Sequence, residues 1–249
     1  MRLGPVEIRL RAEIRKKGTI CLALVDSEEA TPKTAADVAK RSQECGVSAI
    51  LIGGSTAIDQ IQLDAMVKRI KQVVTSPVIL FPGNVTGVSP HADAILFMSL
   101  LNSDNPYFIV EAQALGAPAV KKYGIEAIPT GYIIVGEGGA IGFVGRARGI
   151  PASKPRLAAM YALAAQYFGM RFVYLEGGSG VTPHVSASMV SEVKRAFDGI
   201  LVVGGGIRDA VAASKIAKAG ADALVLGTLL EEKSFEATLR RIVRAVQKE

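Results

Sequence analysis

The chain has 249 residues, 49% of them hydrophobic, which excludes a disordered protein and fits one barrel-type α/β domain or two small domains. Its formal charge of +6 comes from 29 Lys and Arg against 23 Asp and Glu. No dense basic run interleaved with aromatics marks a nucleic-acid face, and a mildly positive field suits an anionic substrate. No apolar run reaches about 18 residues, so no membrane span is expected.

The first stretch, Met1 to Lys17, is charge-rich and lacks a signal-peptide pattern. Cys21 and Cys45 have neither metal nor disulfide spacing and read as small core residues of a reducing, cytoplasmic compartment. His91 and His184 are isolated, which argues against a His-ligated zinc.

Val6 to Lys17 is predicted to open the chain as a helix with Ile8, Leu10 and Ile14 on one side. Thr19 to Val25 is a continuous apolar run ending at Asp26, the pattern of a parallel strand buried on both faces. Thr34 is expected to cap a helix that Gly46 stops. Ser48 to Ile52 is a second strand, ending in Gly53-Gly54-Ser55, and a helix follows from about Ala57 to Val73. Pro77 to Phe81 is the third strand and Ala92 to Met98 the fourth, followed by a helix over about Tyr107 to Lys122. Ala127 to Val135 is the fifth strand; the glycine-rich stretch Gly136 to Gly149 reads as an excursion loop, and Lys154 to Phe168 as a helix. Strands six to eight are Phe172 to Glu176, Leu201 to Val203 and Ala223 to Leu226, with helices at about Ser186–Phe197, Arg208–Ala219 and Phe235–Lys248.

Eight parallel-strand candidates alternating with helices at this length argue for a closed (β/α)8 barrel of TIM type, one domain over residues 1–249. One connection departs from the pattern. Only about ten residues, Pro82 to His91, join strands three and four, fewer than a crossover helix with its loops needs. Pro82, Gly83, Gly87 and Pro90 oppose a helix there. The third helix is therefore expected to be missing or replaced by an extended segment, which opens the wall to a groove.

Functional groups of such barrels cluster where strands end at the C-terminal face. The strand ends here are Asp26, Ser55, Asn84, Asn102, Thr130 or Tyr132, Glu176, Gly205-Gly206 and Gly227-Thr228. Gly177-Gly178, Gly204-Gly205-Gly206 and Gly227-Thr228, in register after consecutive strands, leave backbone N–H groups open to a phosphate; as isolated pairs they would be only tight turns. Ser179 and Thr228 add hydroxyl donors. Asp26 and Ser55 form a carboxylate and hydroxyl pair that suits part of an octahedral Mg²⁺ shell, or Asp26 caps its own turn. Glu176, beside the phosphate loop, is placed to take a proton from a substrate hydroxyl or else to bond a neighbouring backbone N–H. Tyr174, two residues earlier, shares its face. No Lys stands at a strand end in Schiff-base position and no Ser-His-Asp set is available, which lowers aldolase and hydrolase chemistry.

At these residues the sequence resembles the geranylgeranylglyceryl phosphate synthase family. The carriers are Tyr174-Leu175-Glu176-Gly177-Gly178-Ser179-Gly180, Val203-Gly204-Gly205-Gly206-Ile207-Arg208, Gly227-Thr228, Leu51 to Ser55, Phe97 to Ser103, and Ala127 to Tyr132. The resemblance implies a TIM-like barrel with an altered third helix. It implies Mg²⁺-dependent transfer of the geranylgeranyl group of geranylgeranyl diphosphate to the 3-hydroxyl of sn-glycerol 1-phosphate, the first ether bond of archaeal membrane lipids. By carry-over Asp26 and Ser55 hold Mg²⁺; Tyr174, Leu175, Glu176, Gly177, Gly178, Ser179, Gly180, Gly205, Gly206, Gly227 and Thr228 bind glycerol phosphate; Glu176 is the general base. Asp26 is followed by Ser27-Glu28-Glu29 rather than by a proline. That points to the second archaeal branch, whose members often form dimers or hexamers, and leaves open whether Glu28 or Glu29 joins the metal shell. Three readings compete: a longer-tailed heptaprenylglyceryl phosphate synthase-like enzyme, a phosphosugar isomerase barrel, and a non-catalytic prenyl diphosphate carrier. A transient contact with a membrane surface is compatible with a lipid substrate.

Overall fold

The computed structural model describes residues 3–28, 30–54, 59–178 and 184–248. Eight strands, β1 (Ile20–Asp26), β2 (Ala49–Gly53), β3 (Val78–Phe81), β4 (Ala94–Leu100), β5 (Glu126–Ile134), β6 (Phe172–Glu176), β7 (Ile200–Gly204) and β8 (Ala223–Leu226), pair in parallel in chain order, and β8 closes on β1. The strands are apolar on both faces because each side meets a core. Outward residues such as Ile50, Leu175 and Leu201 pack under the helices, while Leu22, Leu51, Ile79, Tyr132 and Tyr174 fill the barrel.

Helix α1 (Pro5–Lys17) plugs the barrel floor. Val6 and Leu10 enter the inner cluster, and the Glu126 carboxylate accepts the N–H groups of Val6 (2.6 Å) and Glu7 (2.9 Å), which the first helical turn leaves unpaired. Ile8, expected on the buried side, is 51% exposed; the plug meets the barrel end-on, so the buried positions are Val6, Glu7 and Leu10. Helix α2 (Pro32–Glu44) is capped by Thr31, not Thr34. Pro32 takes the first helical position, and Thr34 returns a side-chain bond to Thr31 as the far half of a capping box. Helix α3 (Gln60–Lys71) follows β2.

Between β3 and β4 no helix forms: residues 82–93 are turns and bends, as the short connection predicts. Asp93 anchors the far end of this strap, its carboxylate accepting Val78 N–H at 2.8 Å and pairing with Lys71. After β4 the chain enters a π-helical turn, Tyr107–Glu111, and then α4 (Ala112–Tyr123), which contains Pro118. Gln113 ties this turn to the barrel, its amide donating to the carbonyls of Met98 in β4 and of Phe108.

The Gly136 to Gly149 excursion is not a plain loop, for it holds a short helix, α5 (Gly139–Val144). Asn102 ties it down: its amide donates to the carbonyls of Ile134 and Arg148, each at 2.9 Å, and its oxygen accepts Ile134 N–H. Asn102, expected among the functional strand ends, is thus a buried clamp. Helices α6 (Pro155–Tyr167), α7 (Ala187–Ala196), α8 (Ala210–Lys218) and α9 (Glu236–Val246) complete the outer ring, with a 3₁₀ turn at Thr228–Glu231 after β8.

Candidate active site

Glu176 ends β6 and points into the barrel mouth, 6% exposed. One carboxylate oxygen accepts Gly178 N–H at 2.5 Å, and the other accepts the Tyr132 hydroxyl at 3.3 Å. The Tyr174 hydroxyl bonds the same carboxylate. Burial pushes the Glu176 pKa above the ordinary glutamate value, and the bonds from Gly178, Tyr174 and Tyr132 pull partly against it. The two phenols are held well above their usual range, by burial first and then by the adjacent negative charge.

The register explains this cluster. Tyr132 pairs with Tyr174 across β5 and β6, so the two hydroxyls rise side by side toward residue 176. Phe81 at the end of β3 stacks on Tyr174 (5.4 Å between centroids, 27° between planes) and meets Tyr132 edge-on at 5.7 Å. These three rings floor the mouth. On β7, Gly204 leaves room for the Tyr174 ring, which occupies the place a side chain at 204 would take. Gly205, at φ 83°, turns the next backbone back over Glu176.

The late glycines form a pocket of about 410 Å³ lined by Tyr174, Glu176, Gly205-Gly206, Arg208 and Gly227-Thr228. The 3₁₀ turn starting at Thr228 aims its N-terminus there. Leu175 does not reach this pocket through its side chain, which is wholly buried among the outer residues. Thr130 is also buried, its hydroxyl donating to its own strand at Ile128, so at the end of β5 Tyr132 is the residue that faces the mouth. Ser55, Ser179 and Gly180 lie outside the described residues. Arg208, which closes the quoted motif, also lines this pocket; its place two residues past three glycines is the sequence signal for it.

Across the mouth, Asp26 ends β1 and lines a second pocket with Gly53, Gly54, Phe81, Gly83, Tyr132 and Glu176. One Asp26 oxygen accepts Glu28 N–H at 2.8 Å, closing the turn after the strand. The Glu28 carboxylate lies over Gly54 at the end of β2. Two carboxylates therefore approach one edge of the mouth, although no group of three His, Cys, Asp or Glu residues gathers among the described residues. Beyond this pocket an apolar groove of about 660 Å³ runs between the 82–93 strap and α4, lined by Pro82, Val85, Val88, Phe97, Phe108 and Val120 among others. The missing helix has opened it, as the sequence expects. Gly83, Met98, Tyr132 and Ile141 line both cavities, so the groove continues into the mouth. Asn84 is turned to the strap itself, accepting the N–H of Val85 and the hydroxyl of Tyr107.

The chain thus has the make-up of a (β/α)8-barrel enzyme that serves a small anion on one side of a buried carboxylate and an apolar tail on the other. Residues 12–246 match the PcrB family. Over 244 residues the chain is 56% identical to the geranylgeranylglyceryl phosphate synthase of Cenarchaeum symbiosum, covering 98% of this chain and 99% of the relative. It is 54% identical to that of Nitrosopumilus maritimus, covering 98% and 97%. The crystal structure of (S)-3-O-geranylgeranylglyceryl phosphate synthase from Thermoplasma acidophilum in complex with sn-glycerol-1-phosphate superposes with a TM-score of 0.93 at 39% identity, covering 99% of both chains. The chain belongs to this family of geranylgeranylglyceryl phosphate synthases and is a prenyltransferase.

Proposed function

We propose that this chain joins the geranylgeranyl group of geranylgeranyl diphosphate to the 3-hydroxyl of sn-glycerol 1-phosphate, with the residues placed as follows. The observation that carries the assignment is the continuity of three cavities around one carboxylate: glycine-built pocket, acidic edge and apolar groove. The acceptor's phosphate lies against Gly205-Gly206 and Gly227-Thr228; the Gly177 and Gly178 N–H groups, expected to be open to it, are instead taken by the Gly204 carbonyl and the Glu176 carboxylate, and Ser179 and Gly180 are the expected further donors. Its free hydroxyl then points back at Glu176, the group that takes the proton. The allylic C1–O bond breaks with its electron pair leaving on diphosphate, the glycerol oxygen bonds C1, and the proton passes to the Glu176 carboxylate. Positive charge on the allylic carbon develops beside Phe81, the partly exposed ring of this cluster that lines the acidic pocket, whose quadrupole favours it. Orientation of the two substrates and this fixed field are the main sources of rate.

Asp26, with Glu28 beside it and Ser55 as the expected second ligand, would hold Mg²⁺. The donor set fits an oxygen-seeking ion that completes its shell with water and phosphate oxygens, and such an ion, when bound, neutralises the leaving diphosphate. Each methylene of the tail buried in the groove contributes up to about 0.8 kcal/mol. The groove also separates the readings: a phosphosugar isomerase has no use for it, while a longer-tailed transferase would fill it further.

The test is incubation with Mg²⁺, each glycerol phosphate enantiomer and diphosphates from C15 to C35, with the ether products read by mass spectrometry. Product from the sn-1 enantiomer with the C20 donor is expected. Binding of the donor without release of diphosphate would make the chain a carrier, and a preference for C35 would make it the longer-tailed enzyme.

A further inference from the structure

The floor of the barrel is basic beyond what its helices need. The outer helices run opposite to the strands, so their last turns gather at the floor, and those turns carry Lys68, Arg69 and Lys71 in α3, Lys121 and Lys122 in α4, and Lys215 and Lys218 in α8. The plug helix adds to them. From Ile8 onward its exposed residues are Ile8, Arg9, Ala12, Arg15 and Lys16, which include no acid. Most floor acids are engaged: Glu7 with Arg11 and Arg171, Glu13 with Lys17, Asp93 with Lys71, Asp222 with Lys194, and Glu126 with the first turn of α1. Glu44 and Asp198 stay outside ion pairs, against Arg15, Lys16, Lys68, Lys121 and Lys122, none of which has a carboxylate partner among the described residues. Helix dipoles favour cations in the last turns; they do not call for them along the exposed face of α1.

Two apolar features meet the same face. Glu126 holds the first turn of α1 and follows closely on Tyr123, so the start of α1 comes to the end of α4. Leu3, Ile8 and Tyr123 are exposed there. The apolar groove also runs this way. It descends the outside of β4 from Met98 at the mouth to Ile95 near the floor end of the strand, and Val120 in the last turn of α4 lines it. Gly116 leaves its outer wall open, for a Cβ at that position would meet nothing within 4 Å.

We propose that the floor docks on the surface of an anionic phospholipid membrane. Ile8 and Tyr123 enter the headgroup layer, the cations lie on lipid phosphates, and the lower end of the groove comes to the lipid. Lys and Arg beside apolar residues are the composition of interfacial helices, and tyrosine is a residue of membrane–water boundaries. Each Lys or Arg near such a surface strengthens binding about fivefold at low salt. The mouth then stays in water, where glycerol phosphate arrives, while a prenyl tail reaches the groove from the lipid side. That use of the groove rests on the transferase reading above; the docking itself does not. A nucleic acid would also take the cations, but it gives Leu3 and Ile8 nothing to bury against.

Flotation of the full chain with phosphatidylglycerol vesicles tests the docking. Binding is expected at about 50 mM salt, at least about tenfold weaker at about 300 mM, and absent with phosphatidylcholine alone. The variant Arg15→Glu, Lys16→Glu, Lys121→Glu, Lys122→Glu should lose about a hundredfold or more in vesicle binding with native far-ultraviolet dichroism. Glutamine at the same positions, gentler on the last turns of α1 and α4, should lose about tenfold or more. Neither variant touches the mouth, so kcat/KM for donor and acceptor in solution should be unchanged, whereas the rate from a donor carried in the vesicles should fall. The chain has no tryptophan, so Ile8→Trp is a local probe whose emission should shift to the blue on phosphatidylglycerol vesicles. No binding at low salt, binding that survives charge reversal, or a tryptophan that does not shift in the bound protein would each overturn the docking. So would tighter binding to duplex DNA than to vesicles at the same salt. Lost flotation with an undiminished rate from the vesicle-borne donor would overturn the part given to the groove. Flotation as expected without any ether product would support the docking and remove the transferase reading instead.

Discussion

Glu176 is asked to do two opposed things. A buried carboxylate resists ionisation, yet a base must be ionised to work. Its pKa is raised by burial, so the rate should fall as pH drops through a value above the ordinary glutamate range, and kcat/KM against pH reads that value directly. The stability linkage has the opposite sense. A carboxyl whose folded pKa exceeds its unfolded one contributes stability that is complete below the unfolded value and is lost as pH rises through the folded one. Glu176→Gln should therefore raise the melting temperature near pH 7, with the gain shrinking toward pH 4. The same variant should cut turnover at least tenfold, about 1.4 kcal/mol of barrier, while glycerol phosphate binding by calorimetry is largely kept; unchanged turnover would remove the base assignment. Tyr132→Phe tests the support. Losing the hydroxyl that bonds Glu176 at 3.3 Å removes a stabiliser of the ionised form, so the acid limb of the pH profile should move to higher pH. Arg208 makes the electrostatic complement. Among the described residues it is the one cation lining the two polar pockets, against Asp26 and Glu176. Arg208→Ala is expected to raise KM for glycerol phosphate about tenfold with kcat little changed.

At the scale of elements the decisive piece is one that is absent. The strap between β3 and β4 leaves the barrel wall to α4, and α4 has a π turn at one end and Pro118 inside it. Ala112 lines the groove on this helix. Ala112→Phe should fill the groove and raise KM for a C20 diphosphate several-fold, with KM for glycerol phosphate unchanged in steady-state kinetics; equal changes in both would place the tail elsewhere. This opening was legible in sequence, because a count of residues and the prolines and glycines of Pro82 to Pro90 exclude a helix without any knowledge of tertiary contacts. The inward set at the strand ends was legible for the same kind of reason: period-two alternation puts Tyr174 and Glu176 on one face. What escaped depends on partners distant in sequence. Asn102 looks like any polar residue after a strand until the carbonyls of Ile134 and Arg148 are seen around it. Thr130 and Tyr132 share a strand face and only depth in the barrel separates them. The short α5 hides in a run whose glycines read as loop, and it delivers Ile141 to both the groove and the mouth.

The whole molecule is held open at the top and shut at the bottom, and the two ends divide labour. The mouth keeps exposed backbone and a buried carboxylate, neither of which favours folding. The floor supplies the compensation. Glu7, wholly buried, receives Arg171 through both carboxylate oxygens at 2.7 to 3.0 Å and Arg11 at 2.9 Å, joining α1 to the foot of β6. Breaking such a buried pair leaves a desolvated cation without its counter-charge, which costs about 3 kcal/mol even with the arginines reaching partly into solvent. Glu7→Ala should then lower the melting temperature by roughly 6 to 12 °C for a chain of this size. Because Glu7 and the Glu176 cluster lie at opposite ends of the barrel, the loss should add to the gain from Glu176→Gln rather than couple with it, within about 0.5 kcal/mol. KM for both substrates should be unchanged at temperatures where Glu7→Ala remains folded. A double variant less stable than the sum, or a shifted KM in Glu7→Ala, would mean that the plug helix reaches the mouth through the stacked Tyr132, Tyr174 and Phe81 rings and does more than close the floor.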